Sequence, residues 1–344
     1  MKIFNNLYHE IYSFSNLEVA YRRARCGNRR DKEAIEFEIN LEQELLKLQE
    51  ELIAESFVPR KPKEFVVRDP KTRLIRAPPF RDRVVHQALC AVLEPILDST
   101  FISDSFASRK GKGTHAAIRR FDKFKRKINR NGRIAGYVLK ADIRHYFDSV
   151  NHKILMNMVE KKIKDKNVLN LISAILKHGA KAPCKGMPLG NLTSQIFANL
   201  YLNDLDQFVK HKLKEKFYIR YMDDFVILHR SKEHLEYIRR LTSEFLSSEL
   251  KLEMHPQKSK TISLHSGISF LGYRIFYNHK LLKKSNIRIF RRRLKEMIQE
   301  YKNNEISLED IHNRTEAWLA YAEYANTFKL RRKIRNCVQD LPFR

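Results

Sequence analysis

Apolar and polar residues alternate with two different periods along the chain, and the N-terminal part contains both. Apolar positions recur at helical spacing in Glu33–Phe57 and again in Arg83–Leu97, which predicts two amphipathic helices. Two β-rich runs within Glu64–Phe80 flank the turn sequence Asp-Pro-Lys-Thr and therefore predict a hairpin. A basic, glycine-containing loop in Arg109–Phe124 then enters a helix near Thr114.

The rest of the chain continues this alternation and ends in helical periodicity. The pattern predicts a strand at Gly132–Ile143, a helix from about His152, and a loop with a helix at Lys185–Phe208. It then predicts a hairpin at Phe217–Arg230, a helix at Glu233–Leu250, a second hairpin at Lys260–Phe276 and a helical tail from Ser285. Helices packed on one face of an antiparallel sheet define an α+β fold. Because strand signals stop near residues 278–285, we expect residues 1–280 to be separate from a basic helical segment, 281–344.

Charge narrows the choice of partner. The chain has 344 residues, with 67 Lys and Arg against 40 Asp and Glu, and a formal net charge of +27. A polyanionic partner would relieve that self-repulsion, and basic residues spread along the whole chain suit a nucleic-acid track better than one membrane-facing patch. The composition therefore favours nucleic acid, with an acidic membrane surface as the weaker alternative.

The same sequence gives expectations about compartment. Four cysteines lie far apart without metal-ligand spacing, which argues against a disulfide framework or a zinc knuckle. The N-terminus lacks the pattern of a signal peptide, and no window of about 18 uncharged apolar residues would span a membrane. We expect a cytoplasmic protein with no membrane partner.

Three aspartates carry the candidate chemistry. Asp142 ends the strand "YVLKAD", and Asp223 and Asp224 lie near the tip of the hairpin "FYIRYMDDFVILHR". An Asp-Asp pair alone is most often a solvated turn, but apolar flanks and a second strand ending in Asp142 favour a metal site. Oxygen ligands suit Mg²⁺, and two such ions about 4 Å apart catalyse in-line phosphoryl displacement. The pattern predicts two-metal nucleotidyl chemistry.

In this hairpin, "YMDD" resembles the signature of reverse transcriptases, and other motifs resemble that family in its order. They are "RDPKTRLIRAPPFRDRVVHQAL" in the fingers, "LKADIRHYFDSV", "GMPLGNLTSQ" and "LKLEMHPQKSKTI" in the palm, and "FLGYRIF" as the primer grip. The resemblance spans nearly the whole chain. It implies a right-hand polymerase fold with fingers, a palm core at about residues 132–280 and an all-helical thumb at 281–344.

The resemblance also implies roles for individual residues. Two Mg²⁺ ions, replaceable by Mn²⁺, would be held by Asp142, Ile143, Asp223 and Asp224, with Lys258 protonating the departing pyrophosphate. The incoming dNTP would contact Arg68, Lys71, Arg73, Ile143, Arg144, His145, Tyr146, Phe147, Leu189 and Gly190, with Phe147 as the gate that excludes a 2′-hydroxyl. Nucleic acid would contact Arg109, Lys110, Lys112, Tyr221, Met222, Gly272, Tyr273, Arg291, Arg292 and Arg293. For the hairpin cations and Lys258, an ordinary solvated surface role is the alternative.

One motif departs from the pattern of most bacterial reverse transcriptases. Those enzymes carry Gln-Gly in the pocket loop and end it in Ser-Pro, whereas this chain has Leu189-Gly190 and Ser194-Gln195. "LGNLTSQ" resembles the enzymes of diversity-generating retroelements, in which cDNA synthesis is error-prone opposite template adenines. Leu189 can tolerate a mispair because it leaves no polar group unsatisfied, and a lost contact of about 1–3 kcal/mol costs about ten- to a hundredfold in fidelity. The alternative is a packing residue in a faithful enzyme.

The expected partners follow from the resemblance. They are dNTPs, a template RNA, the RNA–DNA duplex gripped by the basic thumb, and a small basic accessory protein that forms an oligomer. The favoured function is therefore RNA-directed DNA synthesis for targeted diversification of a variable gene. Two alternatives stay open: a phage-defence or other bacterial reverse transcriptase of ordinary fidelity, and an RNA-binding scaffold that does not polymerise.

Overall fold

The computed structural model describes residues 2–28, 31–68, 72–179 and 182–341. Helices and antiparallel strands alternate through it, which confirms the α+β class. The N-terminal helices are α1 (Tyr8–Tyr12), α2 (Phe14–Arg25), α3 (Lys32–Ile39), α4 (Leu41–Ile53) and α5 (Phe80–Asp98). The helices that follow are α6 (Thr114–Ile128), α7 (Tyr146–Ser149), α8 (His152–Glu160), α9 (Lys166–Gly179), α10 (Leu192–Tyr201), α11 (Asn203–Gln207), α12 (Lys232–Ser248), α13 (Lys284–Lys302), α14 (Leu308–Glu323) and α15 (Phe328–Gln339).

Two helix predictions need correction at their ends. The single helix expected over Glu33–Phe57 is two helices, because Asn40 leaves helical geometry (φ −116°, ψ 38°) between α3 and α4. In the loop and helix expected over Lys185–Phe208, Thr193 and Ser194 are residue types that favour an N-cap, but the N-cap of α10 is Asn191, and both of those residues are buried inside the helix. Within the described residues, neither Asn40 nor Asn191 makes a side-chain capping hydrogen bond, so both boundaries are set by backbone geometry.

The strands form three sheets within the described part of the chain. They are β1 (Lys63–Val67), β2 (Arg73–Ala77), β3 (Tyr137–Asp142), β4 (Tyr218–Tyr221), β5 (Asp224–His229), β6 (Lys260–Ser263), β7 (Ile268–Phe270), β8 (Tyr273–Ile275) and β9 (Lys280–Leu282). The order is β1-β2 in one sheet, β4-β5-β3-β6 in the second and β7-β8-β9 in the third. This places β3 and β5, which carry or adjoin the three aspartates, next to each other.

The predicted hairpin over Lys260–Phe276 is wrong in its extent. β6 pairs antiparallel with β3, Tyr137 facing Ser263, and only β7 and β8 form the hairpin. A 3₁₀ turn at Leu264–Ser266 separates β6 from β7, and Gly267 ends that turn at φ +76°. A strand that changes partner in this way is invisible to a local pattern, because both halves keep strand periodicity.

Contacts divide the chain into two compact units. The first contains Met1–Gly113, Ala141–Phe225 and Ile238–Ser259, and the second contains Thr114–Lys140, Val226–Tyr237 and Lys260–Arg344. In the second unit, α13, α14 and α15 share a core in which the rings of Phe290 and Trp318 stack at 3.9 Å. In the ranges that the structure describes, no helix is long and apolar enough to cross a membrane.

Candidate active site

Asp142 is the last residue of β3 and is held on both sides by the segment that precedes β6. Its backbone N–H donates to Ser259 Oγ (3.3 Å), and its carbonyl accepts from the N–H of His255 (2.7 Å). Its carboxylate forms an ion pair with Lys258. The residue is 8% exposed, so its position is fixed while one face of the carboxylate stays accessible. This geometry brings together Lys258 and Asp142, two of the residues singled out from the sequence.

Asp223 lies in the tight turn between β4 and β5, and Asp224 is the first residue of β5. Met222 before them adopts a left-handed conformation (φ +57°), which is unfavourable for a side chain of its kind. Tyr221, Met222 and both aspartates are half-buried. A strained turn at a functional site persists only where its surroundings fix it.

Electrostatics show that the three aspartates share one site. Burial, followed by the negative charges of Asp224 and Asp142, raises the pKa of Asp223 from its ordinary 3.8 to about 6, while Arg73 opposes the rise. Mutual repulsion between carboxylates is the physical signature of a site that a cation completes. Arg73, on β2 of the β1–β2 hairpin, acts on the same site through its positive charge.

The donor chemistry fits Mg²⁺ brought in with a nucleotide. In residues 2–28, 31–68, 72–179 and 182–341, no three His, Cys, Asp or Glu side chains converge tightly enough to enclose a metal by themselves. Mg²⁺ does not need such a cage, since it is usually bound by one or two carboxylates together with waters and substrate phosphates. Asp142 and Asp223 supply those carboxylates, with Asp224 adjacent. Ile143 follows directly, in an isolated bridge to Met254.

The loop that begins at Gly186 packs closely against α7. The Gly186 N–H donates to the Val150 carbonyl (2.8 Å), and the Met187 N–H donates to the Phe147 carbonyl (2.7 Å). Gly186 has φ +92°, and a Cβ there would lie 3.3 Å from the backbone oxygen of Asp148. Phe147, the predicted sugar gate, is therefore fixed by the same loop that carries Leu189.

Leu189 and Gly190 form a turn against the second fingers strand. The Leu189 carbonyl accepts from the Arg76 N–H at 3.4 Å, and Gly190 has φ +109° with Ile75 Cγ2 3.1 Å from where its Cβ would be. Leu189 is half-buried, so its side chain is neither wholly in the core nor free in solvent. The structure thus brings the pocket loop, α7 and β2 together in the first unit.

Some of the predicted triphosphate contacts are used inside the protein. The Arg144 N–H donates to the Glu253 carbonyl (2.8 Å), and the Arg144 guanidinium pairs with the Glu253 carboxylate (3.2 Å). That N–H is consequently unavailable to a phosphate. Arg68 and Arg73 are exposed on the fingers hairpin, whereas Lys71 lies outside the described residues.

Tyr146 and His145 differ in their surroundings. Tyr146 is 2% exposed and donates its hydroxyl to the Ala198 carbonyl (2.6 Å), so only its backbone can face a ligand. His145 is exposed and left-handed (φ +46°), which allows the chain to turn sharply from β3 into α7. The turn takes the chain from Asp142 to Phe147 within five residues.

Two predicted nucleic-acid contacts of the basic loop are anchors of that loop. Arg109 pairs with Asp98 and donates to the Ile102 and Ser105 carbonyls (2.6 and 2.9 Å), and its side chain is 7% exposed. Lys112 donates to the Ser103 carbonyl (2.6 Å). Lys110 remains exposed. A residue that satisfies internal carbonyls has fewer donors to offer a phosphate.

In the second unit, some of the predicted nucleic-acid contacts are likewise buried inside the protein, and others are exposed. Tyr273 is fully buried and donates its hydroxyl to the Tyr321 carbonyl (2.8 Å), so its side chain has a packing role. Gly272 has φ +86°, and a Cβ there would lie 2.3 Å from the Tyr321 hydroxyl oxygen. Arg291–Arg293 are exposed on α13 and can meet a phosphate backbone.

Several residues that shape the site lie within the quoted motifs but received no role from the sequence. Ser259, His255 and Glu253 hold the backbone around Asp142 and Arg144, and Arg220 is completely buried next to the Met222–Asp223 turn. For Arg220, one signal was present: a charged residue alternates with apolar ones in a strand, and a buried charge must have partners.

Comparison with known proteins shows which class of protein this chain belongs to. Residues 60–275, more than half of the chain, match the family "Reverse transcriptase (RNA-dependent DNA polymerase)", and the chain belongs to that family. It has the right-hand polymerase fold, since apo telomerase from Candida tropicalis superposes with a TM-score of 0.52 at 13% identity, over 64% of this chain and 48% of telomerase. The class is therefore that of RNA-directed DNA polymerases.

Two relatives are similar over most of this chain. Protein YkfC of Escherichia coli K12 is 28% identical over 273 residues, which cover 67% of this chain and 71% of YkfC. The group II intron-encoded protein LtrA of Lactococcus lactis is 25% identical over 307 residues, which cover 68% of this chain and 50% of LtrA. The chain thus spans about half the length of LtrA.

Proposed function

We propose that the protein copies an RNA template into cDNA with dNTPs, using Asp142 and Asp223 to hold two Mg²⁺ ions. The observation that supports this most directly is that β3, which ends at Asp142, lies next to β5, which begins at Asp224 directly after Asp223. Residues 1–280 act as fingers and palm, and residues 281–344 act as the thumb.

The chemistry is a nucleotidyl transfer. The primer 3′-oxygen forms a bond to the α-phosphorus of the dNTP, and the bond from that phosphorus to the bridging oxygen of pyrophosphate breaks. When bound, Mg²⁺ lowers the pKa of the 3′-hydroxyl and neutralises charge on the phosphates. Asp142 and Asp223 orient the reacting groups, and Arg73 neutralises the triphosphate from the fingers. Lys258, which contacts Asp142, donates a proton to the departing pyrophosphate.

The nucleotide pocket suggests a diversifying role. Leu189 sits half-buried on the loop that holds Phe147, where its carbonyl accepts from Arg76 of β2, and its side chain offers no hydrogen bond to an incoming nucleotide. A pocket without a polar group at this place loses little binding free energy when a base pair has the wrong geometry, because no hydrogen-bonding group is left unsatisfied. We propose error-prone copying at template adenines, as in diversity-generating retroelements.

Primer extension on an RNA template with Mg²⁺ and dNTPs tests the polymerase assignment. Asp142→Asn and Asp223→Asn should each lower kcat by at least about a thousandfold, because charge stabilisation in such a site is worth several kcal/mol. Asp204→Asn is a matched control, since Asp204 makes only a long surface contact (3.7 Å) with Lys161. Full activity of Asp223→Asn would overturn the assignment. Tight RNA binding without extension by the wild type would favour the non-polymerising scaffold.

Sequencing the cDNA tests the diversifying role separately. Wild-type errors should concentrate opposite template adenines, and Leu189→Gln should reduce them by about tenfold, equivalent to one contact of about 1.4 kcal/mol. Leu192→Gln is the matched control, because Leu192 is a half-buried leucine three residues further along. Equal error rates at all four template bases would instead favour an ordinary bacterial reverse transcriptase, such as one of phage defence.

The proposed partners follow from charge. A net charge of +27 suits template RNA and the RNA–DNA duplex, and exposed Arg291–Arg293 are proposed to contact phosphates. The proposed small accessory protein is also basic, so RNA would bridge the two proteins. Co-purification that survives nuclease treatment would contradict that bridging.

A further inference from the structure

Arg220, on β4, is a completely buried arginine directly behind the catalytic turn. All five of its N–H donors are matched by acceptors. Nε and Nη2 bind the Asp206 carboxylate at 2.8 and 2.7 Å, Nη1 binds Asn199 Oδ1 at 3.0 Å, and Nη2 reaches the Asn199 carbonyl at 3.4 Å. The fifth bond runs from Nη1 to the Met222 carbonyl at 3.1 Å. That last contact joins the buried network to the residue before Asp223.

The acceptors of this arginine are themselves fixed. Asp206 is fully buried and also accepts from the Tyr218 hydroxyl (2.6 Å), and Asn199 donates its amide to the Ala107 carbonyl (2.8 Å). The Arg220 backbone is held as well, since its N–H donates to the Asp104 carbonyl and its carbonyl accepts from the Phe106 N–H, both at 3.0 Å. The guanidinium therefore has one orientation, set by α10, α11 and the neighbouring 104–107 segment.

The carbonyl that Arg220 holds belongs to a strained residue. Met222 is left-handed (φ +57°), and relaxing it would rotate the next peptide and move the Asp223 side chain. A rigid planar fork can hold one carbonyl while chelating a carboxylate, whereas a lysine ammonium has three donors in a different geometry. Arginine at position 220 can therefore bind Asp206 and the Met222 carbonyl at the same time, in a geometry that lysine does not reproduce.

We infer that Arg220, oriented by Asp206 and Asn199, is a positioning residue that fixes the Met222–Asp223 turn in its metal-binding conformation. It touches neither substrate nor reacting atoms and acts only through the Met222 carbonyl. The inference rests on the proposed function of Asp223 as a metal ligand, and it adds a reason why a fully buried ion pair lies behind the site. Buried ion pairs by themselves are a poor source of stability.

The test compares Arg220→Lys with Arg81→Lys. Arg81 is the matched control, because it is 6% exposed and pairs with Glu51 and Asp82 but does not contact the catalytic turn. Mn²⁺ binding to the full chain is measured by electron paramagnetic resonance in the presence of a dNTP, and kcat and the dNTP KM are measured by primer extension. Residues that orient a metal ligand typically contribute about ten- to a hundredfold in affinity or activity.

We expect Arg220→Lys to weaken Mn²⁺ binding and lower kcat by about tenfold or more with little change in KM, and Arg81→Lys to change neither. Equal Mn²⁺ binding by wild type and Arg220→Lys would overturn the inference, whether or not the chain polymerises. If wild type binds Mn²⁺ but extends no primer, the proposed function fails while the inference is still tested. Should Arg220→Lys not fold, Asn199→Ala replaces it, because it removes one acceptor that orients the guanidinium. Wild-type Mn²⁺ binding in that variant would also overturn the inference.

Discussion

Asp223→Asn should stabilise the metal-free protein while abolishing synthesis. Asp223 is held half-buried beside two other carboxylates, and its pKa rises from 3.8 to about 6. A rise of about two pH units, at about 1.36 kcal/mol each, corresponds to about 3 kcal/mol at most of unfavourable free energy in the ionised folded state. Solvent around a half-buried group screens part of this, so we expect a gain of about 1–3 kcal/mol in the free energy of unfolding.

The pH dependence has a definite sign. Because the folded pKa lies above the ordinary value, the folded state holds the proton more tightly and loses stability as pH rises from about 4 to about 6. The penalty is complete above about pH 6 and absent below about pH 4. The advantage of the Asn variant should therefore be full at about pH 8 and about half as large at about pH 5.

Chemical denaturation in EDTA at both pH values measures this difference. Asp204→Asn is again the control, because it removes a half-buried carboxylate on α11 that pairs with Lys161 at 3.7 Å. Adding Mg²⁺ should then stabilise wild type more than Asp223→Asn, since a ligand stabilises only the state that binds it. A variant that is less stable than wild type at about pH 8, or an advantage that grows on acidification, would refute the electrostatic reasoning.

Three further predictions concern other parts of the molecule. Gly272→Ala should destabilise the protein by about 2 kcal/mol or more in urea unfolding, because its Cβ would overlap the Tyr321 hydroxyl at 2.3 Å. The control Gly111→Ala, also at positive φ but with nothing within 4 Å of its Cβ, should cost only about 1 kcal/mol, and equal losses of stability would contradict the overlap. Arg73→Ala should raise the dNTP KM about tenfold or more in primer extension, as expected for a lost charge-assisted contact of about 1.5–3 kcal/mol, and an unchanged KM would exclude that contact. Phe147→Val should increase incorporation of ribonucleotides at least about tenfold relative to dNTPs, and unchanged sugar selectivity would remove Phe147 as the gate.

Local pattern was sufficient for most elements of the fold. The fingers hairpin, α6 beginning at Thr114, and the strand ending at Asp142 follow from periodicity, turn residues and glycine. The class of chemistry follows as well, because carboxylates at the ends of strands in a very basic chain point to metal-assisted work on nucleic acid. These features depend on neighbours within a few residues, which the sequence displays directly.

Tertiary structure decided which groups were already engaged. The Arg144 N–H is taken by Glu253, 109 residues away, and Tyr273 is buried against Tyr321, 48 residues away. Whether a polar group faces a ligand or an internal acceptor depends on such long-range pairing, which has no periodic trace in the chain. Sequence therefore named the acidic residues of the site, and only the fold showed which neighbouring donors are already paired.

Arg220 shows the same division most clearly. The sequence "YIRYMDD" places a charge among apolar strand residues and so demands a buried partner. It cannot say that the partners are Asp206 and Asn199, or that one donor is left to hold the Met222 carbonyl. The sequence by itself determined that this chain carries a carboxylate turn of a polymerase. The tertiary structure decided what holds that turn in shape, because the five hydrogen bonds of the Arg220 guanidinium form only when α10 and α11 meet around it.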